Sequence, residues 1–299
     1  MRTLVTGSTG LVGSALVAAL RDKGHQVVRA VRRGPVNTDE VLWNPEQGKF
    51  DAAQLSGVDA VVHLAGENIA DGRWTEEKKR RIRESRVKGT RLLSETLAGL
   101  NPKPRVLVSA SAIGFYGNRG AEILTEESSA GKDFLAEVCR EWEDATAPAK
   151  ESGIRTVNLR IGIVLSRKGG ALGKMLTPFK LGIGGRVGSG EQFMSWIALD
   201  DVVGVIEHAL TNETLSGPVN TVAPNPVTNE EFTKKLGAAI SRPTIFPLPA
   251  FALRLAFGGE MADSTLLSSA RVEPQRLKPS GYKFLYPTLG EALRHVLKD

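Results

Sequence analysis

Gly7-Ser8-Thr9-Gly10-Leu11-Val12-Gly13 follows the apolar pair Leu4-Val5 and opens an apolar-periodic stretch. Glycines at this spacing let the backbone turn tightly from strand to helix, approach a pyrophosphate closely and pack the helix on the sheet, leaving free N–H groups facing the anion. Glycine turns also arise for structural reasons alone, so context decides the reading. Here the turn lies between a predicted strand, Arg2–Thr6, and a predicted helix, Leu11–Lys23, which Gly24 ends. A second strand, Gln26–Val31, completes the βαβ setting that dinucleotide binding requires.

Outward from this unit the pattern repeats. Val58–Leu64 is a short buried run, Thr75–Leu97 a long helix, and Pro102 and Pro104 punctuate the loop before a strand at Arg105–Ser109. Phe134–Glu151 reads as one helix and Thr156–Leu165 as one strand. Short apolar runs alternating with amphipathic helices predict an α/β fold, a Rossmann-like doubly wound parallel sheet over residues 1–165. After Leu165 the rhythm breaks at Lys168-Gly169-Gly170 and Gly182–Gly190. Residues 166–299 are therefore expected to form a smaller, mainly substrate-binding region, with 195–223 returning to the first domain. The default ligand site is the pocket between the two.

Bulk properties narrow the function classes. The 299 residues are 41% apolar and 24% charged, an ordinary balance for a soluble globular protein. No apolar run approaches the roughly 20 residues needed to cross a bilayer, and the first residues enter a strand without a basic leader. A cytoplasmic protein with no membrane partner is expected. One cysteine, Cys139, excludes an intramolecular disulfide framework, and four scattered histidines lack ligand spacing, so no metal is expected. The net charge of +6 favours an anionic partner, whether a cofactor phosphate, an acidic substrate or nucleic acid. Glu76–Lys88 carries seven Lys or Arg, but interleaved glutamates and the lack of aromatics read as a solvated face and argue against nucleic acid.

The end of the second strand addresses the choice of nucleotide. An acid there would bond the adenosine ribose and repel a 2′-phosphate. This chain instead reads Ala30-Val31-Arg32-Arg33, with no acid before Asp39, which favours NADP(H). Arg32 is the chosen phosphate ligand; Arg33 is open to the reading of a solvated charge.

The glycine turn, His63-Leu64-Ala65-Gly66, Arg86-Val87-Lys88-Gly89-Thr90, Tyr116-Gly117, Leu159-Arg160 and Trp196–Asp201 together resemble extended short-chain dehydrogenases/reductases. Gly66-Glu67-Asn68-Ile69, Phe193–Trp196, Ala223-Pro224-Asn225-Pro226 and the tail Gly281–Leu293 are similar to an atypical epimerase-like subfamily with a C-terminal domain of unknown function, here residues 250–299. The resemblance covers nearly the whole chain. It implies NADP(H) held by Gly7, Thr9, Gly10, Leu11, Val12, Gly13, Val31, Arg32, Leu64, Ala65, Gly66, Glu67, Arg81, Arg86 and Val164. Arg86 replaces the Asn usual in the broader family and is either an added cation near the cofactor or a charge on a basic helix. Relatives commonly dimerise through their long helices, which leaves a homodimer open.

The resemblance also exposes a loss. In the broader family a Tyr transfers a proton and a Lys four residues later lowers its pKa, which unaided lies near ~10. The matching positions here are Phe134 and Val138. Counting from Tyr116, the family Ser falls on Ala112; counting along the strand it falls on Ser109 or Ser111, and Ser111 is chosen. Tyr116 is either a displaced acid or a packing aromatic. Glu67 is a base if desolvation raises its pKa, or else caps a loop or pairs with Arg86. Asp200-Asp201 reads as structural. The expected function is an NADP(H)-binding oxidoreductase or epimerase-like protein acting on a small carbonyl, alcohol or sugar-like substrate. The alternative is a catalytically silent NADP(H)-binding redox sensor or an RNA-interacting regulatory module.

Overall fold

The computed structural model describes residues 1–298. β1 (Arg2–Thr6) and β2 (Gln26–Val31) run parallel, with Leu4 opposite Val28, and are joined by α1 (Leu11–Asp22). β3 (Glu40–Asn44) adds parallel to β2, and the two-residue β4 (Lys49–Phe50) closes that edge antiparallel. The chain then crosses to the other side of β1, where β5 (Ala60–His63) pairs with it. α2 (Glu76–Ala98) leads to β6 (Val106–Ala112), and after the short β7 (Ile123–Leu124) come α3 (Phe134–Asp144), α4 (Ala147–Glu151) and β8 (Arg155–Ile161). Next follow β9 (Ile163–Leu165), α5 (Gly170–Lys180), β10 (Phe193–Met194), β11 (Trp196–Ala198), α6 (Leu199–Thr211) and β12 (Gly217–Thr221). β12 pairs in parallel with β8, giving the eight-stranded order β12-β8-β6-β5-β1-β2-β3-β4. β13 (Val227–Thr228), α7 (Asn229–Ala239), α8 (Ala250–Phe257), the single turn α9 (Gly259–Met261), β14 (Arg271–Val272) and α10 (Leu289–Lys298) finish the chain.

The strands are near-continuous apolar runs because both faces of the sheet are covered. Val5, Val62 and Val108 meet Leu16 of α1 and Ile206 of α6 on one face. Their neighbours Leu4, Val61 and Leu107 meet Leu93 and Leu97 of α2 on the other. A third core joins Leu172, Phe179, Trp196, Phe232 and Leu293 of the later elements. Full burial of one such side chain contributes roughly 1.5–3 kcal/mol. Thr75 caps α2 by accepting from the Lys78 N–H, and Glu76 and Glu77 complement its positive end. Asp201 is fully buried, and its carboxylate accepts from the Tyr282 hydroxyl and the N–H groups of Leu285 and Tyr286, tying the C-terminal segment to α6.

Two single elements of the sequence reading are divided in the structure. The helix expected over Phe134–Glu151 ends at Asp144 and restarts at Ala147, with Pro148, which has no N–H to donate, in the first turn of α4. The strand expected over Thr156–Leu165 splits at Gly162. A side chain there would meet the Ser195 carbonyl oxygen at 2.6 Å, so only glycine permits the approach that hands the chain from β8 in the main sheet to β9 beside β11. β3 was not expected at all. Among the described residues, no helix is long and apolar enough to cross a membrane.

Candidate functional site

β1 leads to α1 and β2 on one side, while β5 lies on the other, so the carboxyl ends of β1 and β5 border a topological switch point. The glycine turn fills it. Gly7 has φ 65°, and a Cβ there would lie 2.7 Å from the Leu64 carbonyl carbon; at Gly13 a Cβ would lie 2.1 Å from the Gly7 carbonyl oxygen. Only hydrogen fits at either position. Gly10 caps α1 with extended backbone, no side chain satisfies the first-turn N–H groups, and the turn holds no acid, so this helix end presents unopposed positive character to the crevice.

A buried polar hub aligns the two strand ends. Thr6 Oγ1 accepts from the N–H groups of Leu64 and Ala65 and lies 2.7 Å from His63 Nδ1, while His63 Nε2 lies 2.9 Å from Thr90 Oγ1. Burial pushes the His63 imidazole down to about 3. A neutral ring satisfies both threonines, one nitrogen accepting and the other donating.

The crevice opens into a cleft of 890 Å³ along the ends of β1, β2, β3 and β5 and the first half of α2, a size suited to a dinucleotide-scale ligand. Its walls include Gly7, Thr9, Gly10, Val31, Arg32, Leu64, Ala65, Gly66, Glu67 and Arg81 among the expected binding residues. The two arginines at the end of β2 differ. Arg33 bonds the buried Glu40 carboxylate at 2.9 Å, where Arg29 also binds at 2.6 Å; the Val36 N–H, then Arg33, holds that carboxyl below its usual range. Arg32 is exposed and makes no ion pair among the described residues. It is close enough to lower the Glu67 carboxyl, although the main cause of that lowering is the 2.7 Å hydrogen bond from Lys78. Glu67 is thus a carboxylate paired with Lys78, not a desolvated base. Arg86 bonds the Glu67 carbonyl oxygen rather than its carboxylate. Its guanidinium lies 3.2 Å from the place of a Gly66 Cβ and 5.0 Å from the Trp142 ring centre.

Other expected positions, Gly13 and Arg86 among them, lie off the cleft wall, Arg86 just behind Gly66. Leu11 lies beside Gly169 and Gly170, where an added Cβ would come within 3.8 and 3.4 Å of it, Val12 packs on the sheet core, and Val164 pairs with Ile197. Ser111 and Tyr116 belong to a buried network behind the site. Ser111 Oγ donates to Glu143 Oε1 at 2.7 Å, and the same carboxylate takes Arg160 Nε and Nη2 at 2.8 and 2.9 Å. Tyr116 is fully buried; its hydroxyl donates to Asn220 Oδ1 at 2.6 Å and accepts from Arg160 Nη1 at 3.0 Å. Burial raises the Tyr116 pKa above its ordinary value. Phe134 packs edge-on to Trp74 beneath Lys79 and Arg83, and Val138 is buried.

Residues 3–222 match the NAD dependent epimerase/dehydratase family, and residues 248–296 match a domain of unknown function, DUF1731. The chain belongs to the NAD dependent epimerase/dehydratase family. An epimerase family protein of Mycobacterium bovis is 49% identical over 98% of this chain and 96% of its own length. The crystal structure of the human epimerase family protein SDR39U1 with NADPH superposes with a TM-score of 0.93 at 36% identity, covering all of both chains. The structure of a nucleoside-diphosphate sugar epimerase from Corynebacterium glutamicum has a TM-score of 0.83 at 41% identity, over 99% of this chain and 58% of that one.

The reading of the sequence missed several cleft residues of this epimerase/dehydratase-family chain. Trp43, Pro45 and Glu46 follow from the unexpected β3, and Arg80, Ser85 and Lys88 come from the α2 face read as solvated. A usable signal existed for the first group: Val41-Leu42-Trp43 is a short apolar run just beyond the polar stretch that follows Arg33.

Proposed function

We propose that the protein is an NADP(H)-dependent oxidoreductase of the extended short-chain type, acting on a small carbonyl, alcohol or sugar-like substrate without a Tyr-Lys pair. The observation that carries the choice of cofactor is the division of labour at the end of β2: Glu40 engages Arg33, leaving Arg32 unpaired on the cleft wall. A guanidinium in that position pairs with a 2′-phosphate through its planar donors. The uncapped N–H groups at the start of α1, held against the cleft wall by close backbone packing that a Cβ at Gly7 or Gly13 would break, fit the pyrophosphate. The coenzyme supplies hydride chemistry when bound. The chain supplies placement: residues 1–165 hold the nucleotide, and residues 166–299 bring the substrate to it. Arg86, fixed beside Gly66 by Trp142 and by the Glu67 carbonyl, is the cation we assign to oxygen charge on the substrate.

A specific observation favours a second reading. Ser111 and Tyr116 are both committed to the Glu143-Arg160 network, as suits a cofactor-binding sensor with no proton relay. Calorimetry with NADPH and NADH on the wild type and Arg32→Asp, followed by NADPH oxidation against a panel of carbonyls, separates the readings. Turnover lost in Arg86→Gln supports the oxidoreductase. NADPH binding with no turnover, together with cofactor-dependent partner capture, supports the sensor.

A further inference from the structure

Of the eleven large apolar side chains that stand out as exposed among the described residues, eight fall in two segments, 181–183 and 245–257. The segments adjoin: the Leu248 N–H donates to the Arg186 carbonyl, the Gly188 N–H donates to the Leu248 carbonyl, and a Gly185 Cβ would collide with the Phe246 carbonyl oxygen. α8 projects from this seam. Seven of its eight residues are apolar, yet only Leu253 is buried, while Phe251 and Leu255 are 71% and 73% exposed. A helix apolar on all sides is ordinarily buried against something, and a contiguous exposed apolar patch marks an interaction face.

The charge on the same segments identifies the partner. Residues 167–190 hold five Lys or Arg and no acid, and residues 232–259 hold four and no acid. Lys180, Arg186 and Arg242 make no ion pair among the described residues; Arg242 Nε reaches only the Lys180 carbonyl, and Arg186 Nη1 only the Ser189 carbonyl. Of the nine cations, Lys174, Lys234, Lys235 and Arg254 are paired with Asp71, Glu230, Glu231 and Asp263, and Glu260 takes Lys79, so the uncompensated charge of this face rests on Lys180, Arg186 and Arg242, with Glu191 the one unpaired acid beside them among the described residues. Two copies joined through this face by a twofold axis would press its unpaired cations against the same set. An anionic bilayer satisfies both features, taking the phenylalanine and leucine side chains into the headgroup boundary and the cations onto its phosphates.

We propose that this face, formed by α8 and the Leu181–Arg186 and Arg242–Leu248 segments, docks the protein on anionic membrane surfaces. Such docking lies on the bilayer and needs no spanning segment. Arg73 donates to the Leu255 carbonyl and Lys79 pairs with Glu260 at 3.1 Å, linking α8 and α9 to the segment that runs from Glu67 into α2.

Co-sedimentation of the full chain with phosphatidylcholine vesicles, with and without phosphatidylglycerol, tests this. Partition is expected only with phosphatidylglycerol present, and it should weaken as salt rises. Phe251→Ser/Leu255→Ser and Lys180→Glu/Arg242→Glu should each lower it by about tenfold or more with melting temperature unchanged, since all four side chains are exposed. Failure to bind either vesicle would overturn the proposal, as would equal, salt-insensitive binding to both. So would a concentration-dependent dimer that the Phe251→Ser/Leu255→Ser protein no longer forms, which would make the occupant a second copy.

Discussion

The Tyr116 hydroxyl donates to Asn220 Oδ1 at 2.6 Å, joining the segment after β6 to β12 at the edge of the sheet. Arg160 of β8 lies between them, donating to the same hydroxyl and gripping Glu143 of α3 with its other nitrogens. Together these side chains form a buried strut that ties β8, β12 and α3 to the segment after β6.

Tyr116→Phe should therefore act on stability. It leaves Asn220 Oδ1 short of its donor and removes an acceptor from Arg160, costing roughly 1–3 kcal/mol in urea unfolding, with NADPH binding unchanged. A stable variant with any NADPH turnover cut more than about tenfold would instead make Tyr116 the proton donor.

Glu143→Ala should cost more. Arg160 is 4% exposed, and removing its carboxylate leaves a buried cation uncompensated, worth about 3–5 kcal/mol. The same change frees Ser111. Unfolding of the single variants and of the Glu143→Ala/Arg160→Met double variant measures the pair, and the double variant should recover part of the loss.

Arg32→Asp should weaken NADPH binding by about 10- to 150-fold, the loss of one charge-assisted interaction of about 1.5–3 kcal/mol, and leave NADH binding nearly unchanged. Arg33→Ala should do less to NADPH, because Arg33 is already bonded to Glu40. Calorimetric titration of both coenzymes decides; equal losses for both in Arg32→Asp would contradict the phosphate role.

Gly13→Ala should abolish nucleotide binding and lower stability by roughly 1–3 kcal/mol, since its methyl group would sit 2.1 Å from the Gly7 carbonyl oxygen. Gly24→Ala makes a useful contrast. A Cβ there meets nothing within 4 Å, so its cost is confined to the positive φ of 77°, and NADPH binding should survive.

His63 makes stability depend on acid. Its folded pKa, about 3, lies below the unfolded value near 6.5, so the unfolded chain binds a proton that the folded chain refuses. Its contribution is complete above about pH 6.5 and is lost as pH falls towards 3, with a slope of about 1.4 kcal/mol per pH unit. Urea midpoints at several pH values should show this slope in the wild type and a shallower one in His63→Gln.

The parallel sheet and the nucleotide turn were legible because their signals are local. Leu4-Val5, the glycine spacing of residues 7–13 and the helical period that follows lie within a few turns of chain, and steric limits at Gly7 and Gly13 admit no other residue. The arginine pair after β2 was legible as charge. Arg32 was the one chosen from it, but the reason Arg33 is occupied was not legible, because Glu40, which engages Arg33, sits in a strand whose short run carries little periodicity.

By itself, then, the order of residues determined the βαβ unit, the basic end of β2 and the absence of a Tyr-Lys pair, since each follows from side-chain type and near-neighbour spacing. Tertiary structure alone decided where Ser111 and Tyr116 point, which strand receives residues after Gly162, and which apolar side chains go uncovered on α8. Those outcomes depend on partners far away in the chain, such as Asn220 for Tyr116 and Ser195 for Gly162. Pairings of that kind exist only once the strands have taken their order and register.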